Sequence, residues 1–596
     1  MADSPDKNSE GELKLTVYSG GSKLPDTVGF DSIEVEKTVN TIPVARIVIP
    51  DGDMPNKKFP VSDSDDLKPG SEIKICAGYG DDEEAIFEGI VVKHSVKITG
   101  DNYTRLLIEC RDKSVAMTIG RKNANYVKQK DSDIFSSLIG SYSGLTAKTS
   151  ATSTEHPELV QYYCSDWDFI ISRAEVNGMV VVVDDAEISI AEPDTQSSAV
   201  LGVTYGEDLI EFHADLDARN QFTKVNSSCW DPSTQAVVQE SAGTEMLNDQ
   251  GNLSSSDLAK VLGLQSYDLQ TPVSMENTAL SGWATAQQVK SGLSRVVGRM
   301  KFQGSAKAKP GKQIEVSGVG DRFNGNVFIS GVFHEIVEGD WSTEVRFGMS
   351  AEWFAEKRDL TSPPASGLLP GVEGLHIGVV IKLDEDPEKQ NRIQVKVPVL
   401  QVETEGVWAR LSNYYASNGF GEFFIPEIGD EVILGYLNND PGCPVILGSL
   451  YSSNRTPPYP LTAENYIKAI VTKSEMKVEF DDEKKIITIV TPGENTIVIS
   501  DEDKSILIQD QTNNKVELNT SGISMDSPKD ISLSAKGKIS LDAVGEISIA
   551  SKADLKAEGL NIEHNANVGL TAKGGASAEL SAGGNTTVKG AMVMIN

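Results

Sequence analysis

The sequence lacks paired cysteines, long apolar runs and an excess of basic residues. Its five cysteines are widely spread and form no C-x-x-C pair: they are Cys76, Cys110, Cys164, Cys229 and Cys443. This pattern argues against a disulfide framework or a zinc site and favours reduced thiols. The net charge of −33, from 87 acidic and 54 basic residues, would repel phosphate backbones, so no nucleic-acid partner is expected. The simplest role of that charge is solubility.

Membrane and export signals are also missing. No apolar run reaches the ~18 residues that a transmembrane helix needs. The first residues, MADSPDKNSEGELK, are polar and acidic and have neither the basic start nor the apolar stretch of a secretory signal. We expect a protein that is made in the cytoplasm, has no stable membrane insertion, and leaves the cell only if another machine carries it.

The common catalytic motifs are absent. The six histidines form no H-E-x-x-H pattern and no close pair, and the sequence has no phosphate-binding loop and no G-x-S-x-G elbow. With 87 carboxylates, two of them will lie close together somewhere by chance, so their number points to no site. We therefore expect neither an enzyme nor a bound cofactor.

What the sequence does contain is a long succession of strands. A chain of 596 residues predicts about three to five domains. Residues 1–360 alternate apolar and polar positions and are expected to be strand-rich, with two helices. One helix begins after a cap at Ser165 and buries Trp167 in its apolar face, and the other covers Thr278–Val296. Residues 231–275 are rich in Ser, Gln, Asn and Asp and predict long loops. The first predicted strands are Leu13–Val17, Ile33–Val39, Ala45–Ile49, Glu72–Ala77, Ile86–Val92 and Arg105–Cys110.

A compact block of five short strands follows a proline-rich linker at residues 361–371. Gly and Pro punctuate this block, residues 372–455, which predicts a small Greek-key barrel of the OB kind. Trp408 is expected either to fill the barrel or to seal its contact with a neighbouring subunit. A second linker covers residues 456–474. The predicted barrel strands are Ile377–Leu383, Arg392–Pro398, Val407–Leu411, Glu431–Leu437 and Val445–Leu450.

The tail carries an internal repeat. Residues 475–529 alternate apolar and polar positions between polar turns and predict the start of a needle. From residue 530 to residue 596 the pattern becomes an octad, in which apolar pairs such as Ile531/Leu533 recur every eight residues. One residue drops out between Leu555 and Ile562, and the repeat then resumes. A repeat of fixed length indicates a stacked architecture.

The octad predicts a trimer. Eight residues give one short strand and a turn, which cannot close around a core, and only positions i and i+2 point inward. Three chains that contribute eight residues each would make a closed triangular turn of about 24 residues. A single chain would keep an unburied stripe and open strand edges. The expected fold is therefore mainly β and multidomain and ends in an intertwined triple-stranded β-helix. Its predicted core residues are Ile531, Leu533, Ile539, Leu541, Ile547, Ile549, Leu555, Ile562, Leu570, Leu580 and Val588.

Two features of the needle leave alternatives open. His564 lies on the inward track, where three imidazoles could form a metal or anion site on the axis, although a histidine beside water or turned outward is the simpler interpretation. The last residues are more apolar than any earlier octad, and they either seal the end of the core or form a docking surface. These residues are Met592, Val593, Met594 and Ile595.

Three blocks of the sequence carry a family resemblance. The first contains SIEVEKTVNTIPVARIVIPDG, FEGIVV and YYCSDWDFIISRAEVNGMVVVVDD and continues in WATAQQVKSGLSRVVGRM. The second is GFGEFFIPEIGDEVILGYLNNDPGCPVILGSLYSSNRTPP, and its order of P-E-x-G-D-E-V, N-D-P and P-V-I-L-G-S-L-Y is hard to produce by chance. The third is the octad needle. Together they resemble the VgrG spike proteins of type VI secretion and their relatives in extracellular contractile injection systems.

The resemblance implies a structural role. It implies two tube-like β-barrels and helical insertions in residues 1–360, so that three subunits present six barrels to a hexameric inner tube protein. It also implies baseplate proteins, effectors and a PAAR-type tip protein as partners, with the tip protein docked on the last apolar residues. We expect a central spike that caps the inner tube and punctures the target envelope.

Two other functions are alternatives to the spike. One is a tail-associated cell-wall hydrolase, but residues 452–474 are too few for the lysozyme domain that some phage spikes carry between barrel and needle. The other is a trimeric receptor-binding fibre, although such a fibre usually ends in a globular head.

Overall fold

The structure, a computed structural model, describes residues 2–5, 11–80, 82–100, 103–243, 247–264, 266–357, 360–400 and 405–595. The chain divides into two compact units, Met1–Leu450 and Tyr451–Asn596. Strands predominate in both units, and the predicted mainly β, multidomain fold is confirmed. The predicted domain boundaries remain predictions, and the last octad pair, Met594/Asn596, lies partly outside the described residues because Asn596 is not among them.

The hub region, residues 1–360, begins with strands that agree with the predicted ones. Helix α1 was not predicted from the sequence. The elements of this first half are β1 (Leu13–Ser19), β2 (Ser22–Lys23), β3 (Ser32–Thr38), β4 (Val44–Pro50), β5 (Glu72–Tyr79), β6 (Asp82–Ile98), β7 (Thr104–Arg111), β8 (Lys122–Lys130), α1 (Asp131–Gly140), β9 (Thr146–Thr149), β10 (Glu155–Cys164), α2 (Asp166–Val176), β11 (Val180–Asp184) and β12 (Glu187–Ala191).

In the described residues, the second half of the hub region contains nine strands and two further helices. Its elements are β13 (Leu201–Thr204), β14 (Leu209–Leu216), β15 (Lys224–Asp231), β16 (Ala236–Gly243), α3 (Ser255–Leu262), β17 (Ser266–Thr271), α4 (Asn277–Leu293), β18 (Val296–Gln303), β19 (Gln313–Ser317), β20 (Gly325–Val337) and β21 (Asp340–Phe347).

One 13-stranded sheet joins the two halves of the hub region. Its order is β14-β18-β21-β20-β3-β4-β7-β6-β5-β1-β2, and β13 and β19 attach to it through β20. The halves meet where β20 pairs antiparallel with β3. One apolar cluster, which includes Ile47 and Phe87, packs on the first half, and a separate cluster, which includes Phe302 and Phe347, packs on the second. The sheet thus carries two cores, while the division into two barrels stays a prediction.

Helix α2 begins and packs as predicted. Ser165 caps it by accepting a hydrogen bond from the backbone nitrogen of Asp168, and the Trp167 indole is buried in the apolar cluster beneath it. The prediction for the later helix is wrong at its end. Helix α4 stops at Leu293 because residues from Val296 onward pair with β14 and β21 as strand β18.

The prediction of long loops at residues 231–275 is also wrong. This segment contains β16, α3 and β17, and β15 pairs with β16 on one side and with β17, in parallel, on the other. One of the serines that indicated a loop instead marks the start of a helix, because Ser254 and Asp257 form a capping box at the beginning of α3. A polar composition therefore concealed regular structure.

Two buried polar clusters hold the hub helices in place. The Asp131 carboxylate accepts two hydrogen bonds from Arg173, at 2.9 and 2.8 Å, and one from Asn177 at 2.9 Å, and it lies 2.9 Å from His156 Nε2. Burial acts to raise the pKa of Asp131, but Arg173 and the other partners outweigh it and hold the pKa below its usual range. The ion pair between Glu175 and Lys290, at 2.8 Å, joins α2 to α4.

The OB-like barrel closes within the first unit. Its five strands follow the order β22-β23-β24-β26-β25 and enclose a core that includes Val380, Ala409 and Ile446, so the predicted barrel is confirmed. Ala409 is fully buried, and the alternation of a strand places its neighbour Trp408 on the outer surface. Trp408 therefore does not fill the barrel. The strands are β22 (His376–Lys382), β23 (Ile393–Lys396), β24 (Val407–Leu411), β25 (Glu431–Tyr436) and β26 (Pro444–Ser449).

The second unit begins with a seven-stranded antiparallel meander, in which each strand pairs with the next along the chain. After the meander, residues 527–595 form no strand within this chain. The strands are β27 (Ile467–Val471), β28 (Lys477–Asp481), β29 (Ile486–Val490), β30 (Thr496–Ser500), β31 (Ser505–Gln509), β32 (Lys515–Asn519) and β33 (Gly522–Asp526).

The burial of the thiols predicts their order of reaction. Cys443 is exposed, whereas Cys76, Cys110 and Cys229 are buried. Burial raises the pKa of the Cys110 thiol to about 12. Since the thiolate is the reacting form, only about 10⁻⁴ of Cys110 would be reactive at pH 8 even if the reagent reached it. A maleimide at pH 8 should therefore modify Cys443 first and leave these three thiols unmodified, as measured by mass spectrometry of peptides. In denaturant all five should react, and early labelling of Cys110 in the native chain would contradict the structure.

Candidate trimerisation face

The meander of the second unit is apolar on one face. Its strands are five residues long and rich in β-branched residues, as in IITIV, TIVIS and SILIQ. Because successive side chains of a strand point to opposite faces, the second and fourth positions of each strand share a face. In β29, β30 and β31 these positions are all isoleucine. The sequence pattern therefore gives the sheet one strongly apolar side.

The strand register aligns these side chains in two continuous columns, which we call the apolar face. Each column runs across the sheet at right angles to the strands, and directly paired residues contribute to the same column. One column contains Phe480, Ile487, Ile499, Ile506, Leu518 and Ile523, and the other contains Ile470, Val478, Ile489, Ile497, Ile508, Val516 and Met525.

Among the residues that the structure describes, none buries the apolar face completely. Its isoleucines in β29, β30 and β31 are between 37% and 48% exposed, and Ile523 on β33 is 72% exposed. Burying a side chain of this size contributes roughly 1.5–3 kcal/mol. A contiguous apolar surface of this extent marks an interaction site in a soluble protein. The face therefore needs a partner surface of matching length and chemistry.

The opposite face of the sheet is mixed, because half-buried apolar residues such as Ile486, Val498 and Leu507 lie there beside polar ones. It carries Glu479, Thr488 and Glu517, and two of these carboxylates lie near lysines of their own strands. Lys477 is 2.9 Å from Glu479, and Lys515 is 3.3 Å from Glu517. These half-buried pairs place charge on this face at the strands β28 and β32. The sheet thus carries its continuous apolar columns on one face, and both charged and apolar side chains on the other.

Tight polar turns fix the register of the columns. In the turn after β31, the Asp510 carboxylate accepts hydrogen bonds from the backbone nitrogens of Thr512, at 2.8 Å, and Asn514, at 2.9 Å. The Asn514 side chain also donates to it, and these hydrogen bonds lower the pKa of Asp510 to about 2. Asn513 adopts the left-handed conformation with φ of 66°. A turn built in this way prevents the one-residue slip that would reverse the two faces.

The octad reappears in the backbone of residues 527–595. The chain bends at 528–529, 536–537, 544–545, 552–553 and 560, and again at 567–568, 575–576, 583–584 and 591. The bends are eight residues apart except for one step of seven between 560 and 567, where the sequence repeat also loses one residue. Each extended segment between bends carries one pair of the repeat, and at least one member of each pair is apolar. The backbone therefore follows the spacing that predicted a stacked needle.

The predicted needle core residues are exposed in the single chain. They range from 50% exposed for Ile547 to 79% for Leu580, and the docking residues Met592, Val593, Met594 and Ile595 are 50–91% exposed. No contact within the chain brings these residues together, so their roles as an intermolecular core and as a docking surface stay predictions. The predicted core residues do not include those of the apolar face. The alternating pairs Ile497/Ile499 and Ile506/Ile508 were the signal that could have found it.

The axial site at His564 also stays a prediction. His564 is exposed in the single chain. Within the ranges that the structure describes, no group of three or more His, Cys, Asp or Glu side chains is arranged to hold a metal ion. Across the same residues, no helix has the length and apolar character needed to cross a membrane.

Models of known protein families match most of the chain. The Alg8 N-terminal domain matches residues 9–338, which is more than half of the sequence. The chain belongs to this family. The OB domain of type VI secretion system and phage-baseplate injectors matches residues 376–451, and the C-terminal trimerisation domain of phage baseplate V matches residues 486–553. The last match covers strands β29–β33 of the apolar face and the first octads.

Curated relatives match shorter segments of this Alg8-domain protein. The type VI secretion system spike protein VgrG1a of Pseudomonas aeruginosa is 39% identical over 75 residues, which cover 13% of this chain and 11% of the relative. The actin cross-linking toxin VgrG1 of Vibrio cholerae is 29% identical over 120 residues, which cover 19% of this chain and 11% of the relative. The match spans about a tenth of the length of these relatives. The resemblance to VgrG spike proteins is confirmed.

Solved structures of tail and secretion proteins are more distant. A 43 kDa prophage tail protein of Shewanella oneidensis is 9% identical and covers 57% of this chain and 99% of its own, with a TM-score of 0.44. The Francisella PdpA–VgrG complex is 11% identical and covers 84% of this chain and 80% of its own, with a TM-score of 0.37. At such TM-scores the likeness supports no conclusion about this chain.

The apolar face predicts a specific effect of charge. Replacing Ile497 by Asp would place three carboxylates together in a dry trimer core, at a cost of several kcal/mol for each. We expect the unchanged protein to have about three times the chain mass of 64.1 kDa. The unchanged trimer dissociates below a certain concentration, and we expect the Ile497→Asp variant to remain monomeric up to at least about 100-fold above that concentration. Mass photometry and sedimentation velocity measure both states.

A matched variant on the opposite face provides the control. Thr488→Asp introduces the same charge one strand away on the opposite face of the sheet, where Thr488 pairs with Glu479 and Val498 outside the apolar columns. It should leave the trimer intact. A trimer that tolerates Ile497→Asp as well as it tolerates Thr488→Asp would show that this face is not the trimer core.

Proposed function

We propose that the chain is the trimeric central spike of a contractile injection system, which caps the inner tube and punctures the target envelope. The observation that carries the proposal is the apolar face, because it is continuous in sequence with the octads and uncovered by its own chain. Three copies meeting on one axis would bury every column at once. The match of residues 486–553 to a trimerisation domain supports the same assembly.

The needle would follow from three intertwined octad segments. Pairs such as Leu541 and Ile549 would fill the axis, and the extended segments between bends would form strands with neighbouring chains. A spike of this kind is stiff because bending would have to break many hydrogen bonds together. The full set of predicted core residues, from Ile531 to Val588, has this role in the proposal, and His564 would face the axis or water.

The hub region would connect the spike to the tube. Its sheet carries two separate apolar cores, and three subunits would therefore present six similar units. Six units match a hexameric tube ring, whereas three do not. Baseplate proteins would surround this junction. The protein would be made and assembled in the cytoplasm and would leave the cell as part of the machine.

The end of the needle would hold a PAAR-type tip protein, which could carry effectors. Met592, Met594 and Ile595 are 77–91% exposed, and three copies would form a blunt apolar platform. Methionine suits such a surface because its flexible thioether adapts to the shape of a partner. Exposed strand edges at the end of the trimer would also need a cover.

A truncated chain tests the role of the hub region. A fragment that ends at Thr361 keeps both hub cores and lacks the barrel and needle. It should co-purify with the tube protein of its own system, while a fragment of residues 451–596 should not. If the tube protein binds only the second fragment, or only the full chain, the assignment of the hub is wrong.

A short deletion tests the tip. Removing residues 592–596 should leave the trimer mass unchanged and abolish pull-down of the tip protein, because the core octads remain while the platform is lost. Substituting Lys589 by Ala, just before the deleted segment, should change neither measurement. Retained binding of the tip protein after the deletion would contradict the docking role.

A further inference from the structure

The barrel carries an unexplained group of exposed aromatic side chains. The connection from β24 to β25, residues 412–430, contains two tyrosines and three phenylalanines that no part of the chain covers. We call this connection the aromatic loop. Its aromatic side chains and their exposed fractions are Tyr414 at 99%, Tyr415 at 57%, Phe420 at 62%, Phe423 at 85% and Phe424 at 58%.

The aromatic loop is held in a defined shape. Ala416 and Gly421 form a β-bridge, the Glu422 nitrogen donates to the Tyr415 carbonyl at 2.7 Å, and the Tyr415 and Phe420 rings lie 5.9 Å apart. Gly421 has a φ of 144°, and a Cβ there would come within 2.5 Å of the Tyr415 carbonyl oxygen, so only glycine fits. The loop therefore presents its rings on a small hairpin instead of leaving them on a loose chain.

A second, different apolar surface lies on the strands of the same barrel. We define the outer patch as Leu375, Ile377, Ile433 and Leu447. Ile377 pairs directly with Ile433 across β22 and β25. Leu447 and Leu375 both approach Gly435, whose missing side chain leaves a shallow depression between them. Leu375 is 61% exposed and Leu447 is 50% exposed, so the aromatic loop of the same chain does not cover them.

Threefold symmetry requires two different surfaces on each subunit. In a closed ring of three, every contact joins one surface of a subunit to another surface of the next, whereas a twofold dimer uses the same surface twice. The barrel has an exposed aromatic loop and a separate aliphatic patch with a shallow depression at Gly435. We propose that in the trimer the aromatic loop of each barrel packs on the outer patch of the next barrel, so that the three barrels close a ring. This inference rests on the trimer of the proposed function and adds a second interface to it.

The size and position of these surfaces fit a second copy as the occupant. Five aromatic side chains that bury 150–250 Å² each when fully covered would supply on the order of 700 Å² here, close to the ~800 Å² per partner of a standard interface. Only the residues between Ser449 and Ile467 connect the barrel to the apolar face. A short tether gives an effective concentration of about millimolar, so barrels whose needles have assembled would meet even through a weak contact.

Cross-linking of the full chain tests the contact. The variants Phe423→Cys and Leu447→Cys place one thiol on the aromatic loop and one on the outer patch, in a Cys443→Ser background that removes the exposed natural thiol. With a short bismaleimide, the chain that carries both substitutions should form covalent trimers on denaturing gels. Each single variant should stay monomeric there. A chain with Gln390→Cys and Leu447→Cys, which moves the first thiol to an exposed position on another barrel loop, is the matched control and should not cross-link.

Each of the other possible outcomes would contradict a specific part of the proposal. Covalent dimers from Phe423→Cys alone would mean that aromatic loops meet one another, and they would overturn the ring. An intact trimer of the double variant without cross-links would also overturn it. The ring would also be overturned if the thiol at position 423 reacted freely in the trimer and became protected from maleimide only when a tube or baseplate protein was added. The aromatic loop would then bind that other partner. If the unchanged chain is monomeric, the proposed function fails first, and the mass measurement separates that case.

Discussion

A sheet with one apolar face must be covered, and the whole second unit depends on this constraint. The columns of isoleucine on β29, β30 and β31 cannot be buried by a sheet that folds as a flat meander, because its own turns are too short to carry any covering element. The exposed apolar pairs of the octads extend the same need over the following residues. The burial that stabilises most domains from within is here available only between chains.

The two units therefore obtain their stability in different ways. In the hub region, side chains such as Phe87 and Phe302 are fully buried within one chain. Several buried charges in the same region are paired, as Asp131 is with Arg173 and Glu175 is with Lys290. An unpaired charge at such a site would cost several kcal/mol, so these pairs fix the helices at unique positions on the sheet. The second unit has no comparable internal core among its described residues, and its alignment comes from turns such as that at Asp510.

Sequence periodicity predicted the parts of the fold that local pattern determines. The octad spacing of Ile531, Ile539 and Ile547 agrees with the bends of the backbone, including the single step of seven residues. The barrel strands were placed within one or two residues because glycine and proline mark each junction. The apolar face was only half recognised. Its alternation was visible, but the alignment of Ile487 with Ile499 and Ile506 depends on turn lengths and register, which periodicity alone does not give.

Predictions failed where distant residues decide the structure. Strand β17 exists because it pairs in parallel with β15, which is about 40 residues earlier, and its own polar sequence gives no sign of that partner. Helix α4 ends at Leu293 because the next residues are needed between two other strands. The aromatic residues at 414–424 were not singled out from the sequence, because their exposure becomes visible only once the barrel is closed.

The difference between the units has a consequence for assembly. A hub region whose cores are internal can fold as soon as its chain is complete, and its folding does not depend on concentration. In the proposed trimer the apolar face and the octads would gain their burial only when three chains meet, so their order would rise with concentration. Until then, Ile497 and its neighbours would form an exposed apolar surface next to open strand edges, which is a risk of aggregation. A barrel ring that forms between already folded domains would bring the three sheets together before their faces find other partners. The aromatic loop and the outer patch would then limit the time for which the needle segments remain uncovered.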